Sequence, residues 1–232
     1  MFDKLKKAFS RDTGKAAAAD EGPPSQSSQL QYTVSQWAAA HGFAVQIQGG
    51  GNTVKMQGKV HGKPWQMEAG KPTRNYILGQ ELRARAEIGV NEDAAVLVIN
   101  RPLKESLEAK AYSMITDELQ TTADPNLPEE MRWLAMYDEV GWDSLPMEFW
   151  ERYSVLADQR SHALGWIDPQ LAEMMLDWPD PGPSKEVPFM LLILRGKAYL
   201  RMEYQPADAA TLEHAAQIFT SACEAAIGGL SA

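Results

Sequence analysis

From about residue 43 the chain alternates apolar and polar side chains. Phe43, Val45 and Ile47 interleave with Ala44, Gln46 and Gln48, the two-residue period of a strand with one buried face. Gly49-Gly50-Gly51-Asn52 reads as a turn. Beyond it Val54, Met56, Gly58 and Val60 alternate with Lys55, Gln57 and Lys59, and His61-Gly62 offers a hairpin turn into Trp65 and Met67. A further strand is predicted over 76–88, where Leu82, Ala84, Ala86 and Ile88 face one way and Glu81, Arg83, Arg85 and Glu87 the other. Residues 94–100 close this series. Such short connections join antiparallel neighbours, so the pattern predicts a meander with one solvated face.

Elsewhere the period is helical. A helix is predicted over 30–40, ended by Gly42. Leu103, Leu107, Ala111, Met114 and Ile115 recur at three and four and predict a helix over 104–120. Proline then opens several short helices, at Pro128, Pro146 and Pro169, each beside a carboxylate or hydroxyl that suits a helix start. Residues 125–178 are accordingly expected to be almost free of strand. Residues 189–194 and 197–204 read as a last hairpin about Arg195-Gly196, and 207–226 as a closing helix carrying Leu212, Ala216, Phe219 and Cys223 on one stripe. The predicted class is α+β: an antiparallel β-meander with flanking N- and C-terminal helices and an inserted bundle of short helices.

Composition refines the domain picture. Ser10 to Ser28 is rich in Pro, Gly, Ser, Gln and Ala and cannot bury enough apolar surface to offset chain entropy, so 1–28 is read as a flexible tail. Residues 29–232 form one expected domain, with an acidic, Trp-rich helical insert at about 121–187. The single cysteine, Cys223, excludes an intramolecular disulfide and a thiolate metal cage. Its stripe makes it a buried small hydrophobe. The longest apolar run, Val187 to Leu194, is strand length, far short of the roughly 18 residues of a membrane span. The expected location is cytoplasmic, with peripheral contact at the inner face of the membrane.

Charge is unevenly spread within a net −9. Residues 1–15 carry five basic and two acidic groups, 40–104 nine and five, and 105–187 five and eighteen. That balance argues against nucleic-acid binding, which needs a cationic excess. The +4 segment can still hold a local anion.

No arrangement of residues declares a catalytic site. The glycines at 49–51 lack the Gly-Lys-Ser/Thr ending of a phosphate loop. His41, His61, His162 and His214 lie in four separate elements without metal-ligand spacing, so neither a metal nor a cofactor is expected. Ser154, Asp158 and His162 share one face if that segment is helical, but steps of about 6 Å keep the hydroxyl from the imidazole. Arg83 and Arg85 are either half of an ion-pair ladder with Glu81 and Glu87 or a two-guanidinium anion site.

Two features remain. Five of the seven Trp fall between 133 and 178 amid most of the acidic excess, and Trp133, Trp142 and Trp150 are candidate partner-binding residues. At the N-terminus Phe2, Leu5 and Phe9 form a stripe flanked by Lys4, Lys6 and Lys7, a small basic amphipathic segment suited to a membrane surface or a partner groove. The reading is a non-enzymatic interaction or adaptor module with a protein partner. The alternatives are a hydrolase-like enzyme assembled from scattered residues and a small-ligand binder on the sheet face.

Overall fold

A computed structural model describes residues 26–48, 53–118 and 129–231. It contains seven helices and nine strands: α1 (Gln26–Ala40), β1 (Ala44–Gln48), β2 (Thr53–Val60), β3 (Lys63–Gly70), β4 (Glu81–Glu87), β5 (Ala95–Asn100), α2 (Arg101–Glu118), α3 (Glu129–Met136), β6 (Asp138–Val140), α4 (Met147–Arg152), β7 (Tyr153–Ala157), α5 (Arg160–Trp166), α6 (Pro169–Leu176), β8 (Phe189–Leu194), β9 (Lys197–Glu203) and α7 (Ala209–Gly229). The strands form one fully antiparallel sheet in the order β1-β2-β3-β4-β9-β8-β5-β7-β6. The class is therefore α+β, with helices flanking an antiparallel sheet. None of the described helices is long and apolar enough to cross a membrane.

The meander runs from β1 to β4 and then breaks. The hairpin β8–β9 inserts between β4 and β5. Composition explains the placement: Phe189-Met-Leu-Leu-Ile-Leu194 is apolar on both faces, so it belongs in the sheet's interior, and it is buried almost throughout. The hairpin turns by His61-Gly62 and Arg195-Gly196, all four at positive φ. Both turns thus match the right-handed strand twist.

Residues 94–100 do not close the meander, since β9 and β8 stand between β4 and β5, and three further expectations change. Residues 125–178 are not free of strand: β6 and β7 lie there, and β7 is fully buried between β5 and β6. Tyr153-Ser-Val-Leu-Ala157 is a short strand that the flanking helix signals disguise. The strand predicted over 76–88 begins only at Glu81, because Gly79 interrupts it and the preceding loop is tied down by side chains. Glu81 accepts the Thr73 amide, and Glu203, directly opposite it on β9, accepts the Leu78 amide. The first helix begins at Gln26, inside the stretch predicted to be a tail.

Each face of the sheet is covered differently. On the first face α1 and α4 to α7 pack over side chains from β2 to β5 and β7 to β9, giving a core that includes Trp65, Phe149, Trp166 and Phe219. Trp166 donates its indole N–H to the Ala222 carbonyl at 2.9 Å, joining α5 to α7. The same helices meet where Gly165 and Gly229 touch, with no room for a Cβ at Gly229. On the second face, among the described residues, α2 and α3 cover β5, β7 and β8, over Leu97, Ile99, Leu156, Met190 and Leu192, with Tyr199 of β9 at the margin. The outward residues of β1 to β4 contribute to neither core.

Candidate functional site

The half of the second face that no described helix covers is built by register. One cross-strand row runs Gln46, Lys55, Glu68, Arg83, Arg201, Met190, and its neighbour Gln57, Gln66, Arg85, Tyr199, Leu192, Leu97. Along each row the chemistry passes from amide, through charge, to hydrocarbon. A cleft of about 550 Å³ lies over these rows, walled at the apolar end by Trp133 of α3 and by Leu194.

Ion pairs organise the charged part. Glu81 and Glu130 are completely buried, yet each meets guanidinium groups. Arg201 donates from Nε to Glu81 at 2.7 Å and from Nη1 to Glu130 at 2.5 Å. Arg74 donates to Glu130 at 2.5 Å and stands 3.8 Å from Glu129. Arg83 pairs with Glu68 at 2.9 Å and approaches Glu81 at 3.6 Å. Burial pushes the Glu130 carboxyl up, but the Arg74 hydrogen bond and the charges of Arg74 and Arg201 outweigh it and hold the group below the usual carboxylate range. Tyr76, whose hydroxyl donates to Glu130 at 3.2 Å, has its pKa driven upward, first by burial and then by that carboxylate.

Toward the open end the pairing loosens. Arg85 pairs with Glu87 at 2.9 Å, and Lys197 reaches the same carboxylate at 3.3 Å and holds it below its ordinary range. Arg195, at the β8–β9 turn, lines the cleft and forms no ion pair with any described residue. Among the described residues, six cationic side chains line the cleft against two carboxylates, Glu68 and Glu129.

The candidate residues fall out as follows. Arg83 and Arg85 both face the cleft, and each also holds a carboxylate, so the ladder and the cationic surface coexist. The three tryptophans do not form one surface. Trp142 is buried, with its ring 5.1 Å from Trp150 in an edge-to-face contact within the first core, whereas Trp133 packs on the second. Phe2, Leu5, Phe9, Lys4, Lys6 and Lys7 lie outside the described residues. Ser154 is buried in β7, and His162 of α5 pairs at 2.9 Å with Asp158, which follows that strand. The hydroxyl does not join that pair. No group of three or more His, Cys, Asp or Glu among the described residues is placed to hold a metal ion. Cys223 is buried in α7, where burial pushes its thiol up to about 12.

Sequence reasoning missed Arg74, Arg195, Arg201 and Glu130 as members of this site. One signal was available: Lys197, Tyr199 and Arg201 alternate with Ala198, Leu200 and Met202, so they share a face, opposite the buried one.

No protein-family model matches the chain, and no curated protein does. Among solved structures, the crystal structure of the mycobacterial trehalose monomycolate transport factor A, TtfA, is similar over 85% of this chain and 94% of that one, at 10% identity and a TM-score of 0.45.

Proposed function

We propose that the protein is a non-enzymatic binding module whose working surface is the open half of the sheet, and that it takes an acidic ligand or partner there. One observation carries the reading: a chain of net charge −9 concentrates six cationic side chains around a single cleft. Concave sites of roughly 300–1,000 Å³ with a few convergent polar groups are the usual form of a small-ligand pocket, and the cleft's 550 Å³ lies in that range. The buried carboxylates fix Arg74 and Arg201 in place before any ligand arrives, which lowers the ordering cost of binding. In this reading the protein works in the cytoplasm, and residues 1–11 add a weaker contact with a partner or with the inner face of the membrane.

Titration calorimetry with a hexaglutamate peptide tests the proposal. Because the whole chain is anionic, long-range electrostatics oppose the association, and only a local cationic site overcomes them. Binding is expected at low salt, weakening as salt screens the charges, and falling about tenfold or more in Lys55→Gln/Arg85→Gln. A protein that does not bind hexaglutamate at low salt, or a variant that binds it as wild type does, sinks the reading.

A further inference from the structure

We infer that the cleft takes a carboxylate carried on an apolar body, with Arg85 and Arg195 holding the head group and Tyr199, Leu192, Leu194 and Trp133 packing the body. The inference rests on the acidic-ligand reading above and narrows it to a class of ligand.

Charge balance sets the head group. The six cations of the lining face Glu68 and Glu129 directly, the buried Glu81 and Glu130 pair with some of them from behind, and the exposed Glu87 pairs with Arg85 beside the cleft. Lys197 shares Glu87 as a further cation, so the cations still outnumber the carboxylates, an excess that suits an anionic head group. The excess is local: Arg195 is the lining cation without an ion pair to any described residue. Arg85 is the other available donor, because its Glu87 partner is more than half exposed and an exposed pair is held only weakly. Arg74 and Arg201, by contrast, are committed to the buried Glu130 and Glu81, and turning either toward a ligand would strand a carboxylate out of water.

Register sets the body. Tyr199 stands directly between Arg85 and Leu192 in its cross-strand row. Leu194, two residues beyond Leu192 on β8, shares its face, and Arg195 follows at the turn. Leu192 is buried in the second core, while Leu194, Tyr199 and Trp133 are the half-buried side chains at that core's open margin. A ligand whose anionic end meets the two arginines therefore lays its other end against hydrocarbon. Arg85 lies two strand spacings, about 10 Å, from the β8 side that carries Leu192, Leu194 and Arg195, so a head group held between the two arginines lies beside Tyr199 and a medium-length aliphatic chain extends from it over the hydrocarbon. Acetate is too short to use the hydrocarbon wall, and octanol has no charge for the arginines.

The experiment is a calorimetric titration of the full chain with octanoate, acetate and octanol, repeated on Arg85→Gln/Arg195→Gln after its melting temperature has been matched to wild type. Leu194→Ser serves as a second variant that leaves every cation in place. Octanoate is expected to bind with one molecule per chain, and acetate and octanol at least about tenfold more weakly. Each variant is expected to lose about tenfold for octanoate, while Leu194→Ser leaves hexaglutamate binding unchanged. Octanoate failing to bind, octanol binding as well as octanoate, or both variants binding octanoate as wild type does overturns the inference. If octanoate fails while hexaglutamate binds, the acidic-ligand reading stands and the apolar body is wrong. If neither binds, both fall.

Discussion

Arg83 and Arg201 stand directly opposite each other across the β4–β9 pairing, where like charges ordinarily repel. They are reconciled by Glu81, which reaches both, at 3.6 Å from Arg83 and 2.7 Å from Arg201. Glu81 in turn is opposite a second carboxylate, Glu203, whose charge is met by the Leu78 amide at 2.8 Å. Glu81 thus offsets both arginines of the neighbouring row, Arg201 diagonally across the pairing and Arg83 along its own strand, while Glu203 is taken up by the loop.

Removing Arg201 is therefore expected to be costly. Arg201→Gln leaves Glu81 and Glu130 buried with too few cations, and breaking such a pair costs about 3–5 kcal/mol. Urea unfolding at pH 7 measures it. The pH dependence has a definite sign. Glu130 has a folded pKa below its ordinary 4.5, so its contribution is present in full above that value and is lost as pH falls through the folded pKa. Wild type should lose stability on acidification below about 4.5. The deficit of the variant should shrink over the same window, because a protonated Glu130 no longer needs the guanidinium. A deficit that stays constant to pH 3 would contradict the network.

Adjacent glycines in α7 should respond in opposite ways. A Cβ at Gly229 would lie 1.6 Å from the Gly165 carbonyl oxygen, so Gly229→Ala forces α5 and α7 apart and should destabilise by about 1–3 kcal/mol or more. At Gly228 nothing lies within 4 Å. Gly228→Ala should be neutral or stabilising by up to about 1 kcal/mol, through the better helix propensity of alanine. Paired denaturant titrations decide it, and equal effects at the two positions would refute the close helix contact.

Cys223 should behave as a structural thiol. With its pKa pushed up to about 12 and its side chain buried, it carries almost no thiolate at neutral pH. Alkylation by a maleimide should be slow in the native protein and fast in urea. Rapid labelling of the native chain would show that α7 detaches from the sheet.

Residues 1–11 should bind anionic vesicles weakly and reversibly. Burying Phe2, Leu5 and Phe9 contributes about 1.5–3 kcal/mol each and each nearby cation about 1, against an ordering cost on the order of 1 kcal/mol per residue. The balance is close. Co-sedimentation with anionic vesicles is expected at low salt, to be lost at high salt and in Phe2→Ala/Phe9→Ala. Equal recovery of wild type and variant in the supernatant at low salt would remove the membrane from consideration.

Strand periodicity made most of the sheet legible, because one-sided burial writes a two-residue alternation into β1 to β4 and β9. It was silent where both faces are buried. Tyr153 to Ala157 reads as neither strand nor helix on its own, and Ser154, Asp158 and His162 imitate a helical face only because a strand end and a helix start happen to space them so. Half of the cleft was legible for the same reason: Arg83 and Arg85 show their shared face in the alternation. The other half was not. Arg201 is 118 positions from Arg83, and only the insertion of β8–β9 beside β4 makes them neighbours. Glu130 reaches the cluster from α3, across 71 positions of chain from Arg201. Local pattern carries no trace of pairings that distant.

The placement of β8–β9 also fixes an order of events during synthesis. Until residue 203 has left the ribosome, the strands from β1 to β4 cannot be joined to the strands from β5 to β7, because the middle of the sheet is missing. Either group, if formed early, would present an unpaired edge, at β4 or at β5, and β5 is buried on both faces. A nascent chain stalled before the last hairpin would hold two sticky edges with nothing between them, a natural target for holding chaperones and a natural seed for aggregates. Completion then comes in one step, as a single late hairpin joins both halves and brings Arg201 to the carboxylates waiting for it.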